Sequence, residues 1–246
     1  QYAKRIQEAI LPAKDQIFKK LRKVFILYQP KDIVSGDFYW FAEENNCKIF
    51  AVVDCTGHGV PGAFMSMIGH NLLHQIVLEK SVTDPGDILN HLHRGVQEAL
   101  RQGHNEINTN DGMDVSIISI NDKTKEVKWA GANRPLVIVT PEGELIKYDG
   151  NKYPIGGAQY DVNRSFLTHA VKVKDNSMAY MFSDGYADQF GGEKGKKFMV
   201  KRFHDLLSAI HTKPAEEQRV ELKNSFETWR SNHEQVDDVL IVGIEI

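Results

Sequence analysis

Cysteine is nearly absent from this 246-residue chain, which carries only Cys47 and Cys55. Two are too few for a disulfide framework, and they fit a reducing compartment where each is by default a small buried residue. No apolar run reaches the roughly 20 residues needed to cross a bilayer, and no signal peptide is visible. The expectation is a cytoplasmic domain, whether the full-length chain is soluble or membrane-attached. Positive charge is not in excess either. Lys and Arg number 30 against 33 Asp and Glu, a formal net charge of −3, so no global basic field draws in nucleic acid or anionic lipid. Internal repeats and low-complexity segments are also missing. What is present is a chain that is 41% hydrophobic, enough to bury a sizeable core in one large domain or two small ones. It opens at Gln1 with a helical pattern already under way, which reads as a piece cut from a longer chain.

From Gln1 to Leu21, Ala3, Ile6, Ile10, Ala13 and Ile17 recur at alternating spacings of three and four. This is the spacing of a coiled-coil seam, interrupted at Pro12, which cannot continue a straight helix. Two readings stand side by side: an amphipathic helix docked on its own domain, or a regulatory linker helix over residues 1–21 that pairs with a second chain. Residues 22–246 form the main domain. Strands are expected at Lys23–Gln29, Asp37–Ala42 and Cys47–Asp54, where short β-branched and aromatic runs alternate with turn residues. A helix follows with Pro61 near its start and a stripe of Phe64, Ile68, Leu72 and Ile76, then a second from about Asp87 to Arg101. After a polar, turn-like Asn105–Gly112, strands are expected at Val115–Ile120, Glu126–Ala130, Leu136–Thr140, Leu145–Tyr148, Arg164–Val173 and Ala179–Ser183. Helices then span roughly Phe198–His211 and Ala215–Ser231, before a last strand at Val239–Ile246. Strands that come in runs argue for antiparallel sheets flanked by helices. The expected class is α+β, a four-layer α-β-β-α sandwich.

Four aspartates share one context. Asp37 opens a strand, Asp54 and Asp184 close strands, and Asp237 opens the last one. Any one alone reads as a turn former. Together, carboxylates gathered at the ends of core strands repel one another and resist desolvation. Divalent cations would relieve that repulsion, and all-oxygen ligation suits Mg²⁺ or Mn²⁺ rather than zinc. Two such cations a few ångströms apart make a site for in-line attack on phosphorus without a protein nucleophile. No other nucleophile stands out. Cys55 has Pro61, not Arg, six positions on, so a cysteine-phosphatase loop is excluded. The stretch Gly191–Lys197 lacks the glycine spacing and the Ser/Thr of a P-loop and reads as a mobile solvated loop.

Taken in order, the segments Val34-Ser35-Gly36-Asp37-Phe38-Tyr39, Asp54-Cys55-Thr56-Gly57-His58-Gly59-Val60-Pro61-Gly62, Ser183-Asp184-Gly185-Tyr186-Ala187-Asp188 and Asp237-Asp238-Val239 resemble the PPM metal-dependent protein phosphatases, most closely the bacterial SpoIIE/RsbU-like branch. Asp111-Gly112-Met113-Asp114, Gly131-Ala132-Asn133-Arg134-Pro135 and Tyr153-Pro154-Ile155-Gly156-Gly157 fit as well, so the resemblance runs from about Val24 to Ile246. Gln7-Glu8-Ala9-Ile10-Leu11-Pro12 is similar to the linker that joins an upstream sensor module to such domains. The resemblance implies a serine/threonine phosphoprotein phosphatase acting on a partner switch protein such as an anti-sigma-factor antagonist, with two Mn²⁺ or Mg²⁺ ions. Asp54 would bridge both metals, Asp184 and Asp237 would hold the first, and Asp37 and the backbone carbonyl of Cys55 would serve the second. Asp188, Asp111 and Asp114 would bind a weak third metal or order loops. Three departures stand out: Ile33 occupies the position of a phosphate-holding arginine, His58 lies four residues after Asp54 rather than two, and Leu240 replaces a Thr or Ser. Lys31, Arg134 and His58 are the candidates for holding the substrate phosphate. The other readings are a catalytically silent phosphoprotein-binding module and a hydrolase of small phosphoesters. The implied partners are a phosphorylated protein, an upstream sensor domain in the same longer chain, and a second copy through the amino-terminal helix, but no nucleic acid.

Overall fold

The computed structural model describes residues 2–102 and 110–246; most of the turn expected over Asn105–Gly112 lies outside them. Two antiparallel sheets stack face to face with helices on both outer sides, the expected four-layer sandwich. The first sheet contains β2 (Phe38–Glu44), β3 (Cys47–Cys55), β4 (Gly112–Asn121), β5 (Val127–Ala132) and β9 (His169–Ala170) in that order, with the short β8 (Ile155–Gly156) also on β4. The second is ordered β1 (Val24–Gln29), β13 (Val239–Glu245), β10 (Met178–Phe182), β6 (Leu136–Val139) and β7 (Leu145–Tyr148).

Because successive side chains on a strand point to opposite faces, each central strand feeds two cores. On β3, Ile49, Ala51 and Val53 face α3 (Gly59–His74) and α4 (Pro85–Ala99), while Phe50 and Val52 face the opposite sheet. On β13, Leu240, Val242 and Ile244 point between the sheets; Val239 and Ile241 face α6 (Val200–Ile210) and α7 (Ala215–Arg230). The apolar continuity of these strands follows from burial on both faces. Among the described residues, no helix is long and apolar enough to cross a membrane.

Several expectations need correction. The amino-terminal seam is not one surface. It is split into α1 (Tyr2–Ile10) and α2 (Lys14–Lys20) around Pro12. Ile17 is fully buried between the sheets, whereas Ile6 is exposed and Gln7 is the buried residue of α1. The α3 stripe is rotated as well. Phe64 is 64% exposed, and the face turned inward carries Met65, Ser66, Gly69 and Leu73. Close approach explains the small residues, since a Cβ on Gly69 would lie 2.9 Å from the Phe38 ring. A π-helical turn, Gln75–Glu79, ends that helix. Of the strand expected over Arg164–Val173, only β9 forms. The N–H groups of Phe166 and Leu167 instead donate to the side chains of Asn90 and Asn151, so the backbone is satisfied without a ladder. Gly191–Lys197 is solvated over residues 193–197, as expected, but it is not an irregular loop: β11 (Phe190–Gly191) and β12 (Lys196–Lys197) make a hairpin whose glycine end sits on Trp229.

Candidate active site

The alternation that builds the central core also aims the aspartates. Asp37 shares its parity with Tyr39, Asp54 with Phe50 and Val52, Asp114 with Ile118, and Asp238 with Leu240, all residues that face between the sheets. Asp54 and Asp114 are direct cross-strand partners on β3 and β4. Asp184 follows β10 at the start of the one-turn helix α5 (Gly185–Asp188). Carboxylates from five separate stretches of chain therefore gather at one end of the sandwich.

Arg134, in the turn between β5 and β6, lies among them. Its Nη2 donates to Asp54 Oδ2 at 2.6 Å and Asp184 Oδ2 at 2.7 Å, and it lies 3.2 Å from Asp114 Oδ2. Asn133, in a left-handed conformation at φ 57°, donates to the other Asp114 oxygen at 2.9 Å. Burial opposes the charge of Arg134, but the three carboxylates outweigh it and raise its pKa. Asp54 is pushed up first by burial, with Asp184 and Asp114 adding to the shift and Arg134 opposing it. Asp114 is raised for the same leading reason.

Asp37 is almost fully enclosed. Burial, reinforced by Asp54, raises its pKa well above the carboxylate range, and a hydrogen bond from Ser183 works the other way. Its Oδ2 is buried with no hydrogen-bond partner among the described residues. The segment before it is tied down at each residue. Gly36 N–H donates to Asp238 Oδ2 at 2.8 Å and Asp37 N–H to Ser35 Oγ at 3.0 Å. From α1, Gln7 accepts from Ser35 N–H at 2.9 Å and donates to Ser35 O at 2.6 Å and to Ser66 Oγ on α3 at 3.0 Å. Gly36 has no room for a side chain, because a Cβ there would sit 2.4 Å from Gly57 O and 3.3 Å from Cys55 O. The Cys55 carbonyl thus borders the Asp37 loop, while its thiol is buried on the α3/α4 side, where burial pushes it up.

The adjacent Asp237 and Asp238 play different parts. Asp238 is buried and its oxygens cap the Lys31 and Gly36 amides. Asp237 is exposed at the edge of the cluster, with its pKa raised by partial desolvation and by Asp184. Lys31 and His58 form a rim of their own: Lys31 Nζ lies 3.0 Å from His58 Nε2, and His58 Nδ1 lies 2.7 Å from Asp32 Oδ2. Ile33 is 63% exposed, and Leu240 is core, its N–H donating to Ser183 Oγ. Asp188 is turned toward the hairpin, 2.8 Å from Lys197 Nζ. The Asp111 carbonyl accepts from Gln102, and its carboxylate makes none of the described contacts with the cluster. Sequence reasoning had passed over Gln7, a polar residue inside an apolar seam, and Asp238, whose alternation with Leu240, Val242 and Ile244 was the available signal.

Among the described residues, no three carboxylate, imidazole or thiol side chains already converge at metal-holding distances. The chemistry of the set nonetheless suits hard divalent cations. The donors are oxygens, one guanidinium faces three carboxylates, and a buried Asp37 oxygen is unsatisfied.

Comparison with known proteins agrees with this fold. The profile of the Stage II sporulation protein E (SpoIIE) family matches residues 45–246. The solved SiaA-PP2C domain of Pseudomonas aeruginosa is 30% identical with a TM-score of 0.88, over 100% of this chain and 94% of that one. A PP2C phosphatase domain with a fragment of the regulatory domain of SpoIIE from Bacillus subtilis shares the fold at 20% identity and a TM-score of 0.69, over 91% of this chain and 63% of that one. RsbX in complex with magnesium shares it at 16% identity and a TM-score of 0.59, over 91% of this chain and 94% of that one. A search of curated proteins returned no match. The fold and its acidic edge define a PPM-type protein serine/threonine phosphatase domain. Within that class, the chain belongs to the SpoIIE family.

Proposed function

We propose that this domain hydrolyses phosphoserine or phosphothreonine on a partner switch protein, such as an anti-sigma-factor antagonist, under the control of an upstream sensor module. The observation that carries the reading is the convergence of Asp37, Asp54, Asp184 and Asp237 on one end of the sandwich, with Arg134 among them. Asp54, Asp184 and Asp237, with Asp37 and the Cys55 carbonyl, would hold two Mn²⁺ or Mg²⁺ ions. Magnesium bound to RsbX, a protein of the same fold, supports the choice of cation. Bound there, the ions would lower the pKa of a water and neutralise phosphoryl oxygens.

The chain's own residues do the rest. Arg134 is the fixed positive charge at the carboxylates, and a guanidinium matches a phosphoryl group in two-pronged fashion. Lys31, beside His58 on the rim, gives an approaching phosphoprotein a second cationic contact. Asp114 and Asn133 position Arg134, and Asp188 orders the neighbouring hairpin through Lys197. Residues 1–21 are proposed as the regulatory segment, acting through Gln7 on the Asp37 loop and, through the exposed Ile6 side of α1, on a second copy.

The test is phosphate release from a panel of phosphoproteins and phosphopeptides with Mn²⁺, with Mg²⁺ and with EDTA. Turnover should require the cation and survive iodoacetamide, since both thiols are buried. Binding of phosphoprotein without turnover under every cation would instead make the domain a silent recognition module.

A further inference from the structure

A cavity away from the carboxylates, with a volume of about 740 Å³, lies between the β11–β12 hairpin and the start of α6. Its chemistry runs against that of the whole chain. Residues 193–202 carry five Lys or Arg and one Glu in a protein whose net charge is −3. Lys197 is committed to Asp188, whereas Lys194, Lys196 and Lys201 are exposed and have no ion pair among the described residues. The wall behind them is fixed. Arg202 lies over Trp229 with its Cζ 4.1 Å from the ring centroid, and the indole donates to Gln189 O at 3.0 Å. Met199, 60% exposed, adds an apolar rim.

Unpaired lysines on an aromatic floor, beside the exposed Met199 side chain, make a surface for an anionic chain with apolar side groups rather than for a small ion. The patch is compact and sits on an acidic protein, which disfavours a polyanion as long as nucleic acid. It also adjoins the phosphatase centre. Asp184 and Asp188 are the two ends of one helical turn, about 6 Å apart, and Asp188 is bonded to Lys197.

We infer that this cavity docks an acidic, partly apolar segment of the phosphoprotein substrate that flanks the phosphorylated residue. The inference rests on the phosphatase reading above. Charge attraction would act mainly on encounter and KM rather than on kcat.

Two phosphoserine peptides test it, one flanked by four glutamates and a leucine, the other with glutamines in place of the glutamates. At low salt the protein should turn over the glutamate peptide at least about tenfold more efficiently, through KM, and salt should erase the preference. The variant K194E/K196E/K201E, which spares Lys197 and Arg202, should lose the preference while hydrolysing p-nitrophenyl phosphate at the wild-type rate. A fluorescent, unphosphorylated glutamate peptide in EDTA should bind the wild type and not the variant. That arm reads docking without catalysis, so binding with no turnover of any substrate would overturn the phosphatase reading and uphold the pocket. Equal turnover of the two peptides by the wild type, an unchanged preference in the variant, or capture of inorganic triphosphate without the peptide would overturn the pocket.

Discussion

Gln7 offers the sharpest test of how the amino-terminal helix reaches the acidic edge. Its amide closes on both backbone groups of Ser35, which is 0% exposed, and on Ser66 of α3. Two residues on is Asp37, whose N–H is held by the Ser35 hydroxyl. Gln7→Met keeps the side chain's length but can neither donate nor accept, and leaves the Ser35 N–H and C=O buried without partners. Each such group costs about 1–3 kcal/mol, so the loss is at least about 2 kcal/mol unless water enters. In a domain of this size that is a fall in Tm of about 4–8 °C. The loss is capped by the docking energy of α1, because the helix can detach and expose Ser35 to solvent. Hydrogen exchange resolves this: amides of residues 33–38 should exchange faster in Gln7→Met while those of β3 and β13 keep their protection. The Mn²⁺ concentration for half-maximal activity should rise as the Asp37 loop loosens. If loop exchange and Mn²⁺ dependence both match the wild type in a folded Gln7→Met protein, the clamp is not a link to the site.

Asp54→Asn should abolish turnover, by more than the roughly hundredfold that losing an outer partner of a ligand costs, with an unchanged far-UV spectrum; retained Mn²⁺-dependent activity would remove Asp54 from the site. His93 is fully buried, accepts from Gly156 N–H through Nδ1 and donates to Asp161 O through Nε2, and burial lowers its pKa. The unfolded chain therefore binds the extra proton first, and stability should fall as pH drops below about 6.5, by at most about 1.4 kcal/mol per pH unit from this group. Urea unfolding at pH 7 and pH 5.5 should show a smaller loss in His93→Gln than in the wild type, and equal losses would refute the assignment. Polar substitution of Ile6 and Ile10 should leave the core folded and change the sedimentation state and the metal requirement; if neither moves, α1 is not a dimer contact.

The architecture was legible in short stretches because strand alternation is local. Runs such as Ile49–Val53 and Leu240–Ile244 name their own faces, and the aspartates that bound them inherit those faces. The hairpin at Gly191–Lys197 was not legible, since its order comes from Trp229 some forty residues away. The same holds for Arg164–Val173, where asparagine side chains from α4 and from Asn151 displaced an expected strand.

The sequence alone determined the class of domain, the ends of its strands and which aspartates stand there. Those properties depend on the period of two and on turn residues within a few positions. Only the tertiary structure decided that Arg134 meets Asp54 across 80 positions and Asp184 across 50, that Gln7 reaches Ser35 across 28, and that Asp238 rather than Asp237 is sealed inside. Such contacts are set by which strands neighbour one another and by how closely Gly36 and Gly69 let their elements approach, and no local pattern encodes that order.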